Sequence, residues 1–115
     1  MQTILPNIGA GISFILGALA IIWPSRIEPF VSIKGVGKEG ISEIRATYGG
    51  FFAGIAIYAL TTQRPTAFIA LGFGWLSAAI VRLLTLLSGY NTMKNVGGVV
   101  FEAAIGLLCI ALLFT

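Results

Sequence analysis

The chain contains no histidine and a single cysteine, Cys109. All four of its acidic residues are glutamates, so aspartate is missing too. These absences remove whole classes of chemistry. A zinc site has too few ligands. A His-ligated haem is excluded, and so is a Ser-His-Asp triad. A di-iron carboxylate centre needs histidine beside its glutamates. A disulfide within the chain needs a second cysteine. Cys109 therefore reads as a packing residue. No catalytic residue, metal or cofactor is expected.

Charge is equally scarce. Only 10% of residues are charged, against about a quarter in soluble domains. The cations give a net charge of +3, but they are scattered between apolar runs. Without a basic stripe, nucleic acid is not an expected partner. Gly35-Val36-Gly37 comes nearest to a phosphate loop, yet it lacks the rest of either nucleotide fingerprint and follows no strand.

Apolar residues, by contrast, are abundant. They make up 57% of the 115 residues, and the mean hydropathy is +1.00. A soluble chain this short could not hide so much apolar surface, so lipid is the expected solvent. Four runs approach the ~20 residues a membrane-spanning helix needs. The pattern predicts helices over about 4–23, 42–62, 65–88 and 95–115, with one sizeable loop at 24–41. Pro6 suits the first turn of the first run. That run is expected to stay uncleaved, because Met1-Gln2-Thr3 carries no cation and the run exceeds the roughly 7–15 residues of a signal h-region. Trp23 marks an interface and Pro24 ends the helix. Ser42 is the expected N-cap of the second helix, and Pro65 the opening of the third. Asn7 and Gln63 read as interfacial caps. Ile27, Phe30, Val31 and Ile33 in the loop are expected to rest on the membrane surface or cap the helices. Short connections predict an all-α, integral membrane, up-down four-helix bundle as one domain over 1–115.

Loop cations set the expected orientation. Arg26, Lys34, Lys38 and Lys94 lie on one side and Arg64 on the other. The excess assigns the loop side to the cytoplasm of a plasma (inner) membrane, with both termini outside.

Four charges stand apart from the loops. Glu43 and Arg45 open the second helix, Arg82 lies in the third and Glu102 in the fourth. Arg82 is roughly 9 Å before the end of its helix and Glu102 roughly 10 Å into its own, at 1.5 Å per residue. Both depths are counted from the same turn, so antiparallel neighbours place the two charges at one level. Glu43 and Arg45 begin on that same side. Ridges of small residues support inward facing. They run through Gly9, Ser13 and Gly17; through Ala46, Gly50 and Gly54; through Ala70, Gly74, Ala78 and Arg82; and through Gly98, Glu102 and Gly106. Gly49, Gly50, Gly54, Gly74, Gly98 and Gly106 are the expected packing positions.

Two readings of the charges stay open. One is a ligand site, in which Arg45 and Arg82 hold an anionic or carbonyl group, Glu43 and Glu102 fix the arginines, and Tyr48 adds a hydroxyl. The other is a pair of buried ion pairs that set helix register only. Trp75 reads as core or lipid-facing.

The run Glu43, Arg45, Tyr48, Gly49, Gly50, in the pattern Glu-x-Arg-x-x-Tyr-Gly-Gly, resembles the signature of a bacterial family of small four-span membrane proteins, the domain of unknown function 4345. That family similarly has an arginine in its third span and a glutamate in its fourth, matching Arg82 and Glu102. The resemblance covers essentially the whole chain. It implies the four-span architecture and the polar quartet, and no activity.

The leading expectation is a non-enzymatic membrane protein. It would bind a small or lipid-like ligand, or serve as a subunit, as a homodimer or in a hetero-complex with another membrane protein. A small proton- or ion-coupled transporter or channel is the alternative. Small multidrug exporters, of similar length, rely on a glutamate in the first span, and here that span is uncharged. A membrane enzyme or quinone-linked redox helper would have only Glu, Tyr and Arg for its chemistry.

Overall fold

The computed structural model describes residues 4–31, 33–89 and 91–114. Met1 to Thr3, Ser32, Tyr90 and Thr115 lie outside the described residues, as does the side chain of Val31. The expectations for the n-region, for Val31 as a cap and for the last residue of the fourth helix fall there. Among the described residues the fold is all-helical, with no strand.

Helix α1 spans Ile4–Ile22. Trp23 separates it from a short helix, α2, over Pro24–Val31. Helix α3 covers Gly37–Glu43 and passes directly into a π-helical stretch, Ile44–Phe51, and then into α4, Phe52–Thr62. Helix α5 spans Pro65–Leu87 and α6 spans Met93–Cys109, followed by a 3₁₀ turn, Ala111–Phe114. Pro65 stands in the first turn of α5. Two of these helices, α1 and α5, are long and apolar enough to cross a membrane.

The expected loop at 24–41 is corrected. Its first part is α2, because Pro24 suits a first helical turn and Ile27 can be buried with Ala20 and Ile44. Pro29 lies inside α2 and costs it one backbone bond. Glu28 accepts a hydrogen bond from the backbone N–H of Gly35 at 2.6 Å and so closes the following turn. The expected N-cap role of Ser42 is also corrected. The helix already begins at Gly37, after Val36 in extended conformation, and no side chain caps it. Gly37 has φ +65°, which a residue without Cβ adopts freely. The fourth helix starts earlier than expected as well. Thr92 caps it by accepting from the Asn95 N–H at 3.2 Å.

Side-chain contacts fix the helix directions. At one end Asn7 and Gln63 exchange two amide hydrogen bonds of 3.0 and 2.8 Å, so α1 begins where α4 ends. These residues were expected as caps, and Gln63 is one: it takes the left-handed C-cap conformation of α4, φ 56°. Helices α5 and α6 run antiparallel, and Gly72 packs tightly between them. A Cβ placed there would lie 2.4 Å from Ile110 and 3.0 Å from the Gly106 carbonyl oxygen. Gly17 and Gly49 bring α1 onto the π-helical stretch in the same way: a Cβ on Gly17 would meet the Gly49 carbonyl oxygen at 2.9 Å. A core of Ala10, Ala56, Phe68, Leu71, Ile105 and Cys109 fills the end near Asn7.

The π-helical turn changes which glycines pack. In such a turn the backbone bonds run i to i+5, and Ile44 and Gly49, five apart, are both buried. Gly50 and Gly54 turn away, and no atom lies within 4 Å of a Cβ built on Gly54. Gly74 likewise meets nothing, and Gly72 takes its expected place. Gly49, Gly98 and Gly106 do sit at close contacts.

Candidate functional site

Arg82 and Glu102 meet across α5 and α6. The guanidinium Nε donates to Glu102 Oε1 at 2.9 Å and Nη2 donates to Oε2 at 3.1 Å. This two-point fork is the strong form of the pair. Nη1 donates to Asn95 Oδ1 at 3.2 Å. Gly98 makes room for the arginine, since a Cβ there would stand 2.8 Å from its side chain. The Glu102 side chain is 12% exposed and that of Arg82 is 34% exposed, so the pair is partly buried.

The pair forms one wall of a cavity of about 860 Å³. Tyr48 and Phe52 line it from the rod of α3, π-turn and α4; Trp75 from α5; and Phe101 from α6. Three of these rings cluster, with centroids 5.2 Å apart for Phe52 and Trp75 and 6.3 Å for Trp75 and Phe101. Trp75 is held by its indole N–H, which donates to Ser13 Oγ at 2.8 Å. Ser13 in turn donates to the Gly9 carbonyl at 2.8 Å, so this buried polar chain is satisfied.

Helix α2 folds over the other side of the cavity through Ile27, Pro29 and Phe30. Phe30 stands edge-on to Phe101, with centroids 5.4 Å apart. Lys94 donates its ammonium to the Pro29 carbonyl and ties α2 to the first turn of α6. Arg26 also lines the cavity, and its guanidinium lies 5.2 Å over the ring of Trp23.

The expected quartet divides. Arg82, Glu102 and Tyr48 share the cavity. Glu43 and Arg45 are exposed and do not line it. Glu43 accepts from the Thr47 hydroxyl at 2.7 Å. Arg45 borders a separate shallow groove with Lys38 and Ser42. The wide π turn sends Ile44 and Gly49 inward, leaving their charged neighbours outside.

Sequence reasoning missed Asn95, Arg26, Lys94 and the cavity-facing role of Trp75. Asn95 stands seven residues before Glu102, two helical turns, and that spacing would have found it. Arg26 gave no signal, because its place depends on α2 folding back. Compared with family models, curated proteins and solved structures, the chain matches none of them.

Proposed function

We propose that this chain is a small integral membrane protein, a four-helix bundle of α1, the rod of α3, π-turn and α4, α5, and α6, that binds a small lipid-like molecule without transforming it. The membrane reading rests on exposure. Only 33% of the apolar window of α1 and 28% of that of α5 is buried within the fold. A core helix of a soluble protein would be mostly buried. Large residues such as Ile15, Ile22, Phe73, Ile80, Val81 and Leu84 point outward, each more than 55% exposed. Lipid, or a second membrane protein, satisfies such faces.

One observation carries the binding reading: the cavity. Its volume lies within the roughly 300–1,000 Å³ typical of small-molecule pockets, and it pairs aromatic walls with a few convergent polar groups. Of the site residues the sequence suggests, Arg82, Glu102 and Tyr48 line it, together with Asn95, while Glu43 and Arg45 do not. Arg26 and Lys94 at the α2 end agree with a cytoplasmic placement of that end in a plasma (inner) membrane. The four-span family that the sequence resembles fits this reading.

Gly74 provides the test. It lines the cavity, and a Cβ there meets nothing within 4 Å. Gly74→Phe should fill the space and leave the fold intact. Mass spectrometry of the purified protein should find a small amphiphile in the native chain and far less in the variant. Equal ligand content in the two, or none in either together with no stabilisation by a lipid extract, would overturn the reading.

A further inference from the structure

We infer that the cavity is built for an amphiphile with a single apolar chain and an oxyanion head, carboxylate or phosphate. This rests on the reading of the cavity as a binding site. Charge is the first argument. The cavity wall carries three cations, Arg26, Arg82 and Lys94, against one carboxylate, Glu102. That carboxylate is already engaged by Arg82 through both oxygens. Among the described residues, Arg82–Glu102 is the one ion pair, so Arg26 and Lys94 meet no acidic side chain there.

Donor capacity is the second argument. A guanidinium has five N–H groups, and Arg82 uses three on Glu102 and Asn95. Lys94 has three N–H groups and gives one to Pro29. Lys94 and Asn95 also stand in the first turn of the 17-residue α6, where the helix dipole favours an anion. Arg26 contacts the Trp23 ring through its charge, with no acidic partner among the described residues, and has five N–H groups to offer.

Size and apolarity decide the rest of the molecule. Away from these charges the wall is Leu16, Phe52, Gly74, Trp75, Ala78 and Phe101. The cavity volume of about 860 Å³ lies within the roughly 300–1,000 Å³ of pockets that enclose a drug-sized molecule. A single-chain amphiphile fits that figure, and a two-chain phospholipid is well above it. The head would sit between Arg26, Lys94 and the free edge of Arg82, with the chain running along the rings toward Leu16.

The chain has two tryptophans, which makes the test direct. Trp23→Phe keeps a ring beneath Arg26 and leaves Trp75 as the one reporter inside the cavity. The variant is placed in phosphatidylcholine nanodiscs at alkaline pH. Four probes brominated at mid-chain are titrated: a fatty acid, an alkyl phosphate, the methyl ester of the same acid, and a two-chain phosphatidylcholine. Quenching of Trp75 should saturate with both oxyanion probes at concentrations about tenfold below the ester, as charge-assisted contacts require. Arg26→Gln with Lys94→Gln should erase that advantage and bring the acid to the level of the ester, whose quenching reports that the cavity is still formed. Equal quenching by acid and ester in the native background would sink the oxyanion class while leaving a binding cavity. Quenching by the two-chain lipid at matching concentration would sink the single-chain class. No quenching by any probe, in protein that remains helical, would remove the binding reading itself.

Discussion

Glu102 compensates the charge of Arg82 with both of its oxygens, so its loss cannot be covered by a neighbour. Asn95 offers Arg82 a neutral acceptor only. Glu102→Gln leaves an unbalanced guanidinium beside an apolar cavity. Breaking a fully buried pair costs roughly 3–5 kcal/mol. Arg82 is one-third exposed here, and water defects relieve membrane charges, so about 2–3 kcal/mol is the expected loss. A fall in detergent melting temperature checks it. Arg82→Met with Glu102→Met should recover much of that stability. If the pair matters only for register, the double variant keeps its bound amphiphile; if it forms the site, the double variant folds and loses it. Ser13 gives a second prediction at this scale. It is the acceptor for the buried indole N–H of Trp75. Ser13→Ala should cost about 1–3 kcal/mol and broaden the Trp75 emission, measured by thermal unfolding and fluorescence. The Arg82–Glu102 contact was legible in the sequence because both depths count from one short turn. The placement of Glu43 and Arg45 was not, because two residues at a helix start have no such reference, and a local change of helix pitch decides where they point.

At the scale of the element, the π-helical stretch sets the limit of sequence reading. A period of 3.6 assigns Ala46, Gly50 and Gly54 to one face, and the wide turn moves the packed face to Gly49 and Ala53. Nothing in residue type announces such a turn, since its backbone dihedrals stay helical on both sides. The helical character of the apolar segments, and the length of α1 and α5, were readable from hydropathy alone. Helix α2 was hidden because Pro24 reads as the end of the first helix and Pro29 lies inside the segment, until Ile27 finds a place to be buried. Two glycine substitutions separate the faces. Gly72→Ala drives a methyl group into Ile110 and the Gly106 carbonyl, and should destabilise by roughly 1–3 kcal/mol. Gly54→Ala meets nothing and should stabilise by roughly 0.5–1 kcal/mol, as a helix-interior glycine is replaced. Thermal melts of the two variants should move in opposite directions. A loss at Gly54 equal to that at Gly72 would place the packed face back on the 3.6-residue ridge.

At the scale of the molecule, the uneven loop charges make orientation testable. With Arg26, Lys34, Lys38 and Lys94 at one end and Arg64 at the other, a cytoplasm-only reporter fused to the C-terminus should stay silent, and one inserted after Gly35 should be active. The reverse pattern refutes the placement. The same outward apolar faces that suit lipid also suit a second copy. Cross-linking in native membranes should capture a homodimer or a hetero-complex, and capture of monomer alone counts against either.

The core around Ala10, Phe68 and Cys109 fills the end at which Asn7 and Gln63 clasp, and the cavity stops short of it. None of these three core residues lines the cavity. In the proposed bilayer placement, a guest would enter from the α2 side, and occupancy should track the composition of one leaflet. In sealed vesicles of fixed orientation, a non-flipping anionic amphiphile added on the Arg64 side should leave the protein empty, and the same compound added on the α2 side should fill it. A conduit would respond to both, so that asymmetry separates a sensor or carrier of one leaflet from a channel.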